Sequence, residues 1–374
     1  MTRAVVCLDG LDPEYLDAAE APNWDAIADA GRTGECRCVV PSLTNVNNVS
    51  IVTGAFPETH GITGNSYYDA DTGDLVYMND PSFLRCETRF EELAAAGESV
   101  VALVAKRKLE RFVGRGCELA LSAQDPPAWI EREVGEAPGI YSGEASQWLL
   151  DAALSVLDDA APDVLYVSTT DVVPHKHAPD EPEAREWVRA LDARLGELVD
   201  RGVDLVATAD HGMNHKSRRV DLDALLEREG YDAEVVRLIR DDHTYHHQNL
   251  GGAAYVYLRG GDGGAHGETD GGNGSDDLGW LGSVDGVDEV LDAADAAERF
   301  GLPTDRIGDA MVLGTEDSVF GPTEDGTGTH DEVDLRSHGS VHEQVVPYVT
   351  TEDATLEHNL EAFDPLLGPP DRRR

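Results

Sequence analysis

The chain has 374 residues, is 41% apolar and carries 73 acidic against 29 basic residues, a formal net charge of −44. That length allows one large domain or two moderate ones, and that apolar fraction excludes a disordered chain. The charge argues against nucleic acid and against an anionic membrane surface as partners, since both would be repelled. The acid is spread through helices and loops rather than gathered in a tail. It reads as the solvated surface of a protein from a high-salt cytoplasm, where screening within about 3 Å makes the self-repulsion tolerable.

From the N-terminus, "MTRAVVCLDG" enters an apolar run at once, with no charged leader or long hydrophobic region, so no secretion signal is expected. The run "AVVCLDG" (4–10) reads as a buried strand ending in Asp9. The five cysteines, Cys7, Cys36, Cys38, Cys86 and Cys117, are odd in number and form no CxxC pairs, which points to reduced structural thiols. Next comes "CVVPSLTNVNNVSIVTG" (38–54), apolar at both ends, with Ser42, Thr44, Asn45, Asn47, Asn48 and Ser50 in its middle. It is either a polar turn between core elements or a segment in which one hydroxyl does chemistry.

The run "VVALVA" (100–105) has strand length, far short of a membrane span, and leads into "AKRKL" with Lys106 and Lys108. Only four of the 29 basic residues are lysine: Lys106, Lys108, Lys176 and Lys216. Two of them in one pentapeptide is a sharp signal in a chain that otherwise uses arginine.

Helical spacing marks 143–160 and 181–202, and between them "DVLYVSTTD" (163–171) is a strand ending in Asp171, with His175 four residues on. "VDLVATADHG" (203–212) is a third strand, ending in Asp210 and His211. Beyond it come a helical "VDLDALLEREG", a strand in "GGAAYVYLRG" (251–260) and a Gly/Asp-rich run (260–282) expected to be a solvated loop. "VDEVLDAADAAERFG" reads as a helix, "RIGDAMVLG" as a strand, "RSHG" supplies His338, and "VVPYVT" (345–350) is a last core strand. The tail "LLGPPDRRR" is expected to fray.

Strands alternating with helices predict an α/β fold with a mainly parallel sheet flanked by helices. A smaller inserted α+β accessory lobe is expected over 216–325, with 1–215 and 326–374 forming the core and 109–140 also contributing to the lobe. Ligands gather at the C-terminal edge of such sheets, which would bring Asp9, Asp171 and Asp210 together. With His175, His211 and His338 they form a set of carboxylate oxygens and imidazole nitrogens suited to zinc or a neighbouring divalent ion. Three of each are too many for one tetrahedral ion with an open position, so two ions fit better, as in centres that clamp displacement at phosphorus.

These pieces, with "PSLTNVNNVSIVTG", resemble the alkaline phosphatase superfamily in its branch of metal-dependent phosphodiesterases and phosphonate hydrolases. "PSLTNVNNVSIVTGAFPETHGITGNSYYD" (41–69), "AKRKL" (105–109), "STTDVVPHKHAP" (168–179), "TADHGMNHK" (208–216) and "LRSHGSVHEQVVPYV" (335–349) narrow the resemblance to the phosphonoacetate-hydrolysing group. The resemblance runs from residue 4 to about 349, with the motifs in the family's order. The acidic Gly-rich run and the overall acidity depart from the family pattern.

The resemblance implies an alkaline-phosphatase-like core and two zinc ions, with manganese or another divalent ion as alternatives. Asp9, Thr44, Asp210 and His211 would hold one; Asp171, His175 and His338 would hold the other. Thr44, at the entrance to a helix begun by "NVNNVSIVTG", would be the nucleophile, its hydroxyl activated by metal. Asn65 would donate to a phosphoryl oxygen, and His175 would also border the substrate. Lys106 and Lys108 would bind a substrate carboxylate.

The implied reaction is hydrolysis of the C–P bond of phosphonoacetate to acetate and phosphate. The alternative is a nucleotide pyrophosphatase/phosphodiesterase of the same superfamily, which needs no carboxylate clamp. A cofactor-independent mutase would carry Ser in place of Thr44. The expected partner is a small-molecule phosphonate, with neither nucleic acid nor membrane, and a homodimer is left open. Lys176, Lys216, His177 and His215 flank the motifs without an assigned role. His246 and His247 fall in the accessory lobe, and His342 reads as structural.

Overall fold

A computed structural model describes residues 1–240, 248–259, 278–324, 326 and 331–369. His246, His247 and most of the Gly-rich run lie outside the described residues.

In chain order the described strands are β1 (Arg3–Cys7), β2 (Arg32–Arg37), β3 (Ser66–Asp69), β4 (Asp74–Tyr77), β5 (Val100–Val104), β6 (Leu119–Ser122), β7 (Val164–Ser168) and β8 (Asp204–Thr208). They continue as β9 (Asn214–Val220), β10 (Ala233–Arg237), β11 (Ala253–Leu258), β12 (Val287–Asp292), β13 (Ala310–Gly314), β14 (Ser318–Phe320), β15 (Asp331–Ser337) and β16 (Val345–Thr350). Seven of them form the central sheet in the order β2-β16-β8-β1-β7-β5-β6. The pairs β8–β1, β1–β7, β7–β5 and β5–β6 are parallel, whereas β16 runs antiparallel to both neighbours.

This is the mainly parallel sheet of an α/β fold that the sequence leads one to expect. β1, β5 and β7 are near-uniformly apolar and buried, as strands covered on both faces must be. The covering helices carry matching stripes. In Pro182–Asp200 the residues Ala184, Trp187, Val188, Leu191, Leu195 and Leu198 are buried, a 3–4 spacing that faces one side of a helix. Ala145–Ala160 buries Trp148, Leu149, Ala152, Ala153 and Val156 in the same way.

A second, four-stranded sheet (β10-β11-β13-β12) is antiparallel throughout, and β14-β9-β15 form a third. The helix Thr44–Thr53 lies between the central and four-stranded sheets: Ile51 and Val52 pack into the central-sheet core, while Val46 and Val49 pack with Val236, Tyr255 and Leu313 of the four-stranded sheet.

Some expectations need correction. "VDEVLDAADAAERFG" is not one helix: its first six residues are β12, which pairs with β13, and only Ala293–Phe300 is helical, capped by the Asp292 side chain. A chance 3–4 spacing was overridden by pairing across the sheet. The end of the Gly-rich run is not a solvated loop either, since Gly279–Ser283 is a short 3-10 turn with Leu278 and Leu281 buried. The start of the tail is held rather than frayed, because the Arg89 guanidinium donates to Gly368 O and to Asp364 Oδ1.

Candidate functional site

The register of the central sheet sets the site. Cys7 pairs with both Ser168 and Thr208, and Ser168 with Val104, so β1, β7, β8 and β5 end at one level. Asp9, Asp210 and Lys106 each lie two residues past their strand end, and Asp171 three past. All four therefore emerge on the C-terminal edge, where open α/β sheets bind ligands.

The expected metal ligands converge there and are buried: Asp9, Asp171, His175, Asp210, His211 and His338 are each no more than 7% exposed. Ligand atoms of Asp171, His175 and His338 lie within 4.8 Å of one another, and so do those of Asp9, Asp171 and His211. Asp171 thus belongs to both triads. Asp210 sits behind the second, its Oδ1 accepting from Gly10 N and His211 N and its Oδ2 lying 3.8 Å from His211 Nε2. The His211 and His338 rings stack at 3.6 Å, 8° from parallel.

All three imidazoles are oriented the same way. His175 Nδ1 donates to Arg336 O at 2.7 Å, His211 Nδ1 to Gly212 O at 3.0 Å and His338 Nδ1 to Ser42 O at 2.7 Å. A backbone carbonyl at Nδ1 fixes the tautomer and leaves Nε2 as the inward lone pair, the arrangement of metal-bound histidine. Burial, then the neighbouring His211 and His175, lowers His338 well below the usual histidine range and keeps it neutral.

The residues fit divalent cations on a second ground. Asp9 Oδ1 is buried with no hydrogen-bond partner among the described residues, 3.4 Å from His211 Nε2. Burial, then the charges of Asp171 and Asp210, pushes Asp9 well above the carboxylate range, with Lys106 opposing. Three carboxylates crowded in a dry site are costly without a counter-cation, and a bound ion reverses that balance.

Thr44 is the first residue of its helix and half-buried, with Oγ1 3.2 Å from His211 Nε2. The helix holds its polar residues for separate purposes. Asn47 bonds Val39 N and O and packs the helix start, and Ser50 pairs with His60 Nε2. Asn48, four residues from Thr44 and so on the same face, donates to Asp210 Oδ2 and accepts from Tyr166 Oη. Asn45 Nδ2 donates to Asn65 Oδ1.

One cleft joins these groups, lined by Asp9, Thr44, Asn45, Asn65, Lys106, Lys108, Thr169, Asp171 and His338, with Leu43, Ala105, Leu109 and Ile239 as apolar walls. Lys106 and Lys108 both face it, while Arg107 between them is exposed and pairs with Asp125. Ile239, just beyond β10, brings the second sheet to the cleft.

The residues left without a role lie elsewhere. Lys176 Nζ donates to Tyr141 O at the surface, His177 pairs with Glu181, His215 with Asp334 and His342 with Asp288. Lys216 is fully buried, away from the cleft. Thr169, whose Oγ1 accepts from Asp9 N, and Arg336, which donates to Pro174 O and Met213 O, are contributors that the motifs did not single out. Thr169 lies inside a quoted motif, so only its side-chain direction was missing.

The sequence model of the type I phosphodiesterase / nucleotide pyrophosphatase family matches residues 4–340. Crystal structures of phosphonoacetate hydrolase from Sinorhizobium meliloti 1021, in complex with phosphonoformate and with phosphonoacetate, superpose with a TM-score of 0.87 at 35% identity, covering 97% of this chain and 94% of that one. A bis(5'-adenosyl)-triphosphatase from Bos taurus is 25% identical over 248 residues, 61% of this chain and 51% of that protein. An uncharacterized pyrophosphatase/phosphodiesterase from Schizosaccharomyces pombe is 26% identical over 236 residues, 57% of this chain and 44% of its own length. The chain spans about half the length of these curated relatives.

Proposed function

The chain belongs to the type I phosphodiesterase / nucleotide pyrophosphatase family of the alkaline phosphatase superfamily, and we propose that it hydrolyses the C–P bond of phosphonoacetate, giving acetate and phosphate. The observation that carries this reading is the placement of Lys106 and Lys108 on the same cleft as Thr44, Asp9, Asp171 and Asn65. C–P cleavage leaves an electron pair on carbon, which the adjacent carboxylate takes up as an enediolate-like charge before carbon is protonated. Two ammonium groups at that carboxylate stabilise the transition state more than the ground state.

In this reading Thr44 Oγ1 attacks phosphorus as the C–P bond breaks, water then cleaves the resulting phosphothreonine ester to release phosphate and restore the hydroxyl, and the Asn65 amide donates to a phosphonyl oxygen. Asp9, Thr44, Asp210 and His211 would hold one divalent ion, and Asp171, His175 and His338 a second. Bound there, the ions would supply Lewis acidity to the phosphonate oxygens and lower the pKa of the Thr44 hydroxyl. The donor set favours zinc over a hard, oxygen-only ion such as magnesium. His175, which does not itself line the cleft, would meet the substrate through the ion it holds, and the lobe expected over 216–325 would close one side of the cleft through Ile239.

The alternative substrate, a nucleotide phosphodiester, is favoured by the relatedness to the bis(5'-adenosyl)-triphosphatase. The deciding experiment incubates zinc-loaded protein, in molar KCl, with phosphonoacetate and separately with an aryl phosphodiester. Phosphate release from phosphonoacetate is expected. Fast diester turnover with none from phosphonoacetate overturns the assignment.

We place the protein in a high-salt cytoplasm on the strength of its formal charge of −44 and its scarce lysine. Its thermal midpoint should then rise as KCl increases towards molar concentration, and a flat profile would count against that setting.

A further inference from the structure

Lys216 and Glu343 are both 0% exposed, and Lys216 Nζ lies 2.6 Å from Glu343 Oε1. The ammonium also donates to Glu316 O at 2.6 Å. Every lone pair direction of the carboxylate is used: Oε1 also accepts from Asn214 Nδ2 at 3.0 Å, and Oε2 accepts from Ser340 N and Ser340 Oγ at 3.0 and 3.1 Å. Burial alone would raise the Glu343 pKa, but the Lys216 charge and these hydrogen bonds hold it below the usual range, so the carboxyl is ionised.

A buried ion pair is weak as a source of stability, because desolvation offsets much of its attraction, and an apolar pair of similar volume can do as well. What it does supply is fixed geometry, and here the geometry leads to the candidate metal centre. Glu343 O accepts from Gly212 N, next to His211. Ser340, held by the Glu343 carboxylate, accepts at its carbonyl from Ser42 Oγ, which in turn accepts from Gly339 N. Ser42 O orients His338, and two residues later comes Thr44. The pair therefore lies at the junction of three segments: 42–44, 210–212 and 338–340. Of the four lysines, this one is neither at the surface nor at the cleft, and its compact ammonium meets Glu343 and Glu316 O at 2.6 Å each.

We propose that the Lys216–Glu343 pair is the positioning element of the metal centre, setting the spacing of these three segments so that His211, His338 and Thr44 face the bound ions. The proposal rests on the reading of this site as a metal centre.

The test is a Lys216→Met/Glu343→Gln double variant, which leaves no buried charge uncompensated. Zinc affinity is measured by competition with a chromophoric chelator, and the thermal midpoint is measured on the metal-free protein. The expected result is a metal-free midpoint close to that of the parent, with zinc affinity down about 10–100-fold, the range for groups that orient ligands. Excess zinc should restore kcat with KM unchanged. A folded double variant that binds zinc as the parent does overturns the proposal. Should the double variant fail to fold, Ser42→Ala, an uncharged link in the same chain of contacts, decides: weakened zinc binding supports the proposal and unchanged binding overturns it. If the parent protein itself binds no zinc, the metal-centre reading fails along with it.

Discussion

Asn45 Nδ2 donates to Asn65 Oδ1 at 2.6 Å, across the mouth of the cleft between the Thr44 helix and the β3 hairpin. Asn65 lines the cleft together with Thr44, beside the space where a phosphonyl oxygen would lie. Asn65→Ala should lower kcat by about 10²-fold, the cost of losing one preorganised oxyanion donor. Asn45→Ala should cost less, about tenfold, because it frees the amide to rotate without removing it. Steady-state kinetics on both variants check this. Equal losses would make Asn45 a substrate contact in its own right.

Lys106 and Lys108 give the sharpest substrate test. Lys108→Ala should reduce kcat/KM for phosphonoacetate about 10–100-fold, as expected for losing a charge-assisted contact of 1.5–3 kcal/mol. Turnover of an aryl phosphodiester, which has no carboxylate to clamp, should change by less than about threefold on the same scale. Lys108→Arg should rescue poorly, since a fork and a point charge present different geometry. Parallel losses on both substrates would remove the clamp from the mechanism.

Chelation separates metal from nucleophile. Dialysis against a strong chelator should abolish turnover and lower the thermal midpoint, because ions that neutralise Asp9, Asp171 and Asp210 bind only the folded state. Ligand at 100 times its Kd contributes about 2.7 kcal/mol. Thr44→Ala should lose about 10⁴-fold or more in kcat, as nucleophile removal does elsewhere. It should still show the zinc-induced rise in midpoint, because the Asp and His ligands remain.

His60 predicts the direction of acid sensitivity. Burial, then the charge of Arg306, lowers its pKa to about 3, and the neutral ring accepts from Ile62 N and bonds Ser50 Oγ. The unfolded chain takes up that proton near pH 6.5, so stability is full above that pH and falls as pH drops towards 3. Its contribution to the slope is at most one proton, about 1.4 kcal/mol per pH unit. Denaturant unfolding of the metal-free protein at pH 7, 6 and 5 should show this loss, and His60→Gln should flatten it. A profile unchanged by the substitution would mean that other groups govern the acid limb.

Much of the site was legible because its placement depends on short-range pattern. Asp9, Asp171 and Asp210 each follow an unbroken apolar run, and buried parallel strands in register carry such residues to one edge whatever the loops do. Lys106 and Lys108 stood out because the rest of the chain avoids lysine. Lys216 was equally conspicuous as a letter, yet its partner Glu343 lies on a distant segment, and only the pairing of β9 with β15 brings the two together. The same holds for Arg336, whose bonds to Pro174 O and Met213 O join loops far apart in sequence. β2 was invisible for a different reason. As an edge strand with one buried residue, it carries no apolar run to detect. The segment 287–300 misled because its Asp, Glu and Ala spacing satisfies a helix, while Val287 and Leu291 are buried in a strand that only β13 makes favourable.

The strand order β2-β16-β8 has a consequence for biosynthesis. β16, near the end of the chain, fills the gap between two strands made much earlier, and His338 lies just ahead of it. A nascent chain that has emerged through His211 already carries Asp9, Thr44, Asp171, His175, Asp210 and His211. It nevertheless presents β8 with one open flank until the last strand arrives. Arrival of His338, the last expected ligand, and closure of that seam therefore belong to the same late event, so a chain stalled before residue 338 would lack one member of the Asp171–His175–His338 set and be prone to pair with its neighbours.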